Sequence, residues 1–230
     1  MFPRFREFGH GPRQGVTSIR KARYAWGMAE LGELRFSDLL AQVSAKTPSP
    51  GGGAVACAAG ALAASLAHMV VAYSVGKKSL AAHQGELEKA SVALKTAQDI
   101  LLRLGDEDAQ AYSMVNELMK LPESDPKRMR DFLPAVRAAI QVPMAAIAVC
   151  DDLLRLCERL APITNTHLHS DLAVAAVLGE SAARASRWNV VVNAALLPDA
   201  GAREKTVAEA DKSLADAARR RAAVEEACRH

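Results

Sequence analysis

Aromatic residues make up only 4% of this 230-residue chain, and no run of β-branched and aromatic residues alternates with period two. An all-β sandwich or barrel needs such runs, so that class is excluded. Cysteine is scarce too. Four in a chain of this length do not build a disulfide framework, and Cys150 and Cys157 would stand about 10 Å apart along one helix, too far to bridge. That usage fits a reducing cytoplasm. No apolar core of signal-peptide length opens the chain, which argues against secretion. A strong charge of one sign is also missing. Residues 1–27 hold Arg4, Arg6, Arg13, Arg20, Lys21 and Arg23 against Glu7; without them the net charge drops from +3 to −2, no electrostatic footprint for nucleic acid.

That opening segment is rich in glycine and aromatics, lacks helical periodicity and stops just before Met28. It reads as a loosely ordered basic arm, a start assigned too far upstream, or a targeting peptide, with 28–230 forming a single helical domain. From Met28 onward, clusters of proline and glycine separate periodic segments. They predict helices over 36–45, 54–75, 80–104, 106–120, 127–160, 170–197 and 202–227, with Gly105 a break or kink and Pro143 bending the fifth. Ser170 or Asp171 would cap the sixth, and the run Arg219–Arg221 reads as a solvated end of the last. No repeat of fixed period is present. The fold class is all-α, a multi-helix bundle.

The stretch PSPGGG at 48–53 precedes a segment free of charge up to Lys77. Residues 54–75 are long enough to cross a bilayer, but Ala, Gly and Ser fill them and His68 interrupts them, which points to a buried central helix instead. Ala56, Gly60, Ala64 and His68 form a stripe of mostly small side chains along which backbones can approach closely. The three glycines leave room for a ligand beside the unpaired N–H groups of the first turn, an arrangement that attracts negative charge; a tight turn under a packed helix needs them equally. Lys77 and Lys78 oppose the helix dipole or clamp an anion. Asp108 and Tyr112, at i and i+4, form either a proton-transfer pair or part of a solvated acidic surface with Asp106 and Glu107. His167, His169 and Asp171 are too few to predict a metal site, and no nucleophile elbow is present.

The segment FSDLLAQVSAKTPSPGGGAVACAAGALAASLAHMVVAYSVGKK, with DAQAY at 108–112, VPMA at 142–145 and SDLAVAAVLGESAARASRWNVVVN at 170–193, resembles the cyclodeaminase/cyclohydrolase family of one-carbon folate enzymes. The likeness covers roughly residues 34–200 in order. Thr164 stands where that family often has glycine, with Asn165 retained.

The resemblance implies a helical dimer acting on a tetrahydrofolate derivative, with no tightly bound cofactor and no metal. It implies Asp108, Lys77 and Tyr112 as catalytic residues, and Ser49, Gly51, Gly52, Gly53, Lys78, Ser170, Asp171, Asn189 and Asn193 as substrate-binding residues. Ser170 and Asp171 serve equally as a cap, and the two asparagines equally as a buried amide network. The expected activity is methenyltetrahydrofolate cyclohydrolase; the alternatives are formimidoyltetrahydrofolate cyclodeaminase and a non-catalytic folate-binding or dimerisation module. Neither nucleic acid nor a membrane is an expected partner. Residues 54–75 span about 33 Å as a helix, so Gly53 and Lys77 of one chain cannot share a site. Two such helices packed antiparallel about a two-fold axis through Ala56, Gly60 and Ala64 would bring them together in a homodimer with shared sites.

Overall fold

Four long helices surround a main apolar core because each carries a wide apolar side that must be covered, and a smaller cluster around Val115, Val136 and Leu197 lies at one end. The computed structural model describes residues 30–229, so the opening arm lies outside the described residues. In chain order the helices are α1 (Phe36–Val43), α2 (Gly52–Ala72), α3 (Gln84–Met119), α4 (Pro126–Leu160), α5 (His169–Ala194) and α6 (Ala200–Ala227), with 3₁₀ turns between α2 and α3 and between α4 and α5 and no strand among the described residues. Helices α2, α3, α4 and α5 pack in a closed ring, each against the next, and α6 lies outside on α4 and α5. The all-α bundle expected from the sequence is present. By length and composition alone, α2 and the stretch 126–163 could each cross a membrane, with mean hydropathies of 1.9 and 1.6, yet each buries a large part of its surface against the other helices.

The small stripe of α2 is spent inside the subunit. Ala56, Gly60 and Ala64 are buried; a Cβ on Gly60 would stand 3.1 Å from Leu101 and 3.2 Å from the Cys150 sulfur. His68 Nε2 lies 2.9 Å from Ser91 Oγ on α3. These residues therefore cannot form the two-fold contact expected of them, because α3 and α4 already occupy that side. The opposite side, with Val55, Leu62 and Tyr73, is uncovered.

Gly105 does not break α3, which runs unbroken for 36 residues. The glycine is buried, and a Cβ there would meet Leu31 at 2.6 Å and Cys57 at 3.3 Å. It is a packing glycine that admits the chain before α1, whose Leu31 N–H donates to Asp106 Oδ1 at 2.9 Å. The Arg219–Arg221 run also departs from its reading as a solvated end. Arg220 is largely buried, bonding Asp151 at 2.9 Å and Glu158 at 3.1 Å, and so fastens α6 to α4. Asp199 caps α6 by accepting from the Ala202 N–H at 2.6 Å. Ser170 and Asp171 cap nothing: α5 begins at His169, running on from a 3₁₀ turn whose N-cap is Asn165.

Pro143 lies inside the continuous α4. Having no N–H, it leaves the carbonyl of Ala139, four residues earlier, without its helical donor. Asn193 of α5 supplies one, its Nδ2 lying 2.7 Å from that oxygen. Sequence positions fifty apart thus complete one helical turn. Asn193→Ala should destabilise the fold by about 1–3 kcal/mol in urea denaturation, because a buried carbonyl then goes unpaired. In a Pro143→Ala background the restored N–H should remove most of that loss. Equal losses in both backgrounds would show that the bond carries no weight.

Candidate active site

The start of α2 meets the middle of α3 where a glycine permits it. A Cβ on Gly53 would overlap all three carboxyl atoms of Asp108, so the carboxyl lies directly against the loop backbone. Steric need explains Gly53 and not its neighbours. Gly51 has an extended backbone (φ −118°, ψ −156°) that any residue adopts, and a Cβ there would touch nothing. At Gly52 a Cβ would find only Asn189, at an ordinary 3.7 Å. Packing therefore does not account for Gly51 and Gly52; a side chain at Gly51 would meet open space, and one at Gly52 only Asn189.

Asp108 is partly buried and has no hydrogen-bond or ion-pair partner among the described residues. Burial pushes its carboxyl from the ordinary 3.8 up to about 6, because low-dielectric surroundings disfavour the charged form. It is poised near neutrality as an acid or a base. Tyr112 follows one turn along α3 with its ring exposed, and Asn189 approaches from α5, its Nδ2 bonded to the Ala185 carbonyl at 3.3 Å. The loop Gly51–Gly53 thus meets Asp108 of α3 and Asn189 of α5, with Tyr112 one turn along α3 and Ser49 two residues before the loop. Asn193 is directed instead to α4.

The remaining candidates gather at the far end of α2. Ser74, fully buried there, accepts the Asn165 N–H at 2.9 Å and donates to the Val70 carbonyl at 2.7 Å. This anchor places the turn before α5, and with it Ser170 and Asp171, beside the segment bearing Lys77 and Lys78. Helices α2 and α5 are thus antiparallel. The 21 residues of α2 separate Lys77 from Asp108 by about 31 Å. No group of three metal-binding side chains occurs among the described residues; His169 is buried with neither ring nitrogen hydrogen-bonded.

The sequence pattern did not reveal the apolar face shared by these two helices. Val55, Leu62 and Tyr73 of α2, and Val174, Val177, Trp188 and Val192 of α5, are all exposed. Their spacing by three, four, seven or eleven residues, all helical intervals, was readable; which side of an apolar helix stays open was not.

The family model described as formiminotransferase-cyclodeaminase matches residues 35–212. The chain belongs to that family. It is 29% identical over 179 residues to a methenyltetrahydrofolate cyclohydrolase of Methylorubrum extorquens, covering 76% of this chain and 86% of that one. It is also 32% identical over 155 residues to the formimidoyltransferase-cyclodeaminase of Gallus gallus, covering 66% of this chain and 29% of the longer protein. The fold matches the crystal structure of formiminotetrahydrofolate cyclodeaminase from Thermotoga maritima with a TM-score of 0.78 at 29% identity, covering 86% of this family member and 98% of that chain. The chain thus spans most of the two shorter relatives and under a third of the vertebrate one.

Proposed function

We propose that this protein is a methenyltetrahydrofolate cyclohydrolase, converting 5,10-methenyltetrahydrofolate and water to 10-formyltetrahydrofolate with release of a proton. The observation that carries the reading is the unpaired, partly buried carboxyl of Asp108, held against Gly53 of the glycine loop. The methenyl bridge is an amidinium cation, which an ionised Asp108 attracts. Water adds to the bridging carbon while Asp108 takes its proton, and the tetrahedral carbon then collapses with release of N5, which needs a proton back. Tyr112 is the hydroxyl nearest in sequence to that exchange.

The alternative is formimidoyltetrahydrofolate cyclodeaminase, favoured by the names of the Gallus gallus and Thermotoga maritima relatives. There N10 attacks the formimino carbon, and a protonated Asp108 gives its proton to the formimino nitrogen, which leaves as ammonia. The same carboxyl serves either reaction, but in opposite protonation states. The substrate is a folate, held without a metal. Four free thiols, three of them buried, fit the reducing cytoplasm we propose as its compartment.

The two clusters of site residues fit a homodimer. A two-fold axis across the exposed α2–α5 face would set the glycine loop, Asp108 and Asn189 of one chain against the partner's Lys77, Lys78, Ser170 and Asp171. The lysines would there meet the folate's glutamate carboxylates. That face, rather than the small stripe, supplies the contact.

Purified protein is mixed separately with methenyl- and formimino-tetrahydrofolate, and the methenyl chromophore is followed against the uncatalysed rate. Accelerated loss of the chromophore, with kcat/KM rising through pH about 6 to a plateau, is the expected result for a base. Chromophore appearing only from the formimino substrate, with kcat/KM falling above that pH, would establish the alternative. No acceleration of either leaves a folate-binding or dimerisation module.

A further inference from the structure

Helix α1 is amphipathic yet buries none of its residues. Phe36, Leu40 and Val43 recur at i, i+4 and i+7 on one side, and they are 65%, 55% and 38% exposed. The helix is nonetheless held in place at both ends. Before it, Leu31 is seated against Gly105 and bonded to Asp106; after it, Gly53 is seated against Asp108. Both anchors lie on the same turn of α3, so α1 is tethered close to Asp108 with its apolar side outward.

We propose that α1 is a clasp onto a second copy of this chain, with Phe36, Leu40 and Val43 seated on the partner's Tyr73 and Val75. The inference rests on the two-fold dimer proposed above and goes beyond it by assigning α1 as the element that closes the shared site from outside. An antiparallel two-fold across α2 and α5 brings the chain before Gly52 next to the far end of the partner's α2. There Tyr73 and Val75 are 63% and 39% exposed, and they continue the uncovered Val55–Leu62 side of the same helix. Charge agrees as well. Residues 30–43 carry Glu30, Glu33 and Asp38 against Arg35, whereas 73–78 carry Lys77 and Lys78 and no acid. Apolar anchors ringed by opposite charge suit a small accessory contact.

The test uses the full chain. A Leu40→Cys preparation is mixed with a Tyr73→Cys preparation bearing a tag of different mass, allowed to exchange, and oxidised with diamide. The mixed disulfide-linked dimer is expected, above the background of the native thiols. In sedimentation equilibrium, Leu40→Asp should weaken the dimer by about tenfold or more, since it removes an apolar anchor. Its helical circular dichroism should be unchanged, because α1 contributes nothing to the core. A dimeric parent with no mixed cross-link, and with Leu40→Asp associating as tightly as the parent, overturns the clasp and leaves the shared-site dimer standing. A monomeric parent overturns both.

Discussion

Asp108→Asn is expected to lower turnover by about 10² to 10⁴, the usual worth of a placed proton-transfer group, while raising the stability of the protein at neutral pH. The two effects have one origin. Burial lifts the carboxyl from 3.8 to about 6, so the folded chain holds this proton more tightly than the unfolded chain does. Stability from this group is therefore greatest below the ordinary value and declines as pH rises from about 4 to about 6. Above that, the ionised carboxyl is a standing cost of about 1–2 kcal/mol, discounted for its partial exposure. Asn, having no charge, removes it. Urea denaturation at fixed protein concentration should show the variant more stable at pH 7.5 and equal to the parent near pH 3.5. Gly53→Ala supplies the complementary arm, since a Cβ there displaces the carboxyl without removing it, and a comparable loss of turnover is expected. Turnover of Asp108→Asn within a few-fold of the parent would make the residue a surface acid.

Mixing two inactive variants should restore activity. Gly52→Val fills the space beside Asn189, and Lys77→Ala removes the cation at the opposite end of α2; neither site belongs to the core, so both chains should fold. If each site draws its glycine loop from one chain and its lysine from the other, a hybrid dimer contains one intact site and one site bearing both lesions. Random exchange makes about half of the dimers hybrid, so about a quarter of the parental activity should return. The measurement is turnover before and after exchange, with hybrid formation confirmed by mass. Hybrids present without recovered turnover would mean that Lys77 takes no part in the partner's site.

Helix positions were largely legible because glycine and proline cluster where the helices stop: at 48–53, near 122–126 and at 198–201. Gly105 misled for a physical reason. A glycine inside a helix looks the same whether it breaks the helix or admits a neighbour, and the neighbour here is Leu31, far away in sequence. Arg220 was opaque in the same way, since its acids lie on α4. For the candidate site, the glycines, Asp108 and Asn189 could be picked out as residue types. That a carboxyl lies against Gly53, and is held near neutrality by burial, depends on two helices meeting and was not readable from spacing.

The bond from Asn193 to the carbonyl freed by Pro143 also bears on how this chain can be recombined. A chimera that joins its residues up to about 150 to the remainder of a relative inherits the proline and exchanges the donor. If the relative has no amide at that position, the hybrid carries an orphaned carbonyl even though every helix is intact. Crossovers before 139 or after 193 keep the pair together and are the permissible seams for grafting substrate specificity onto this scaffold.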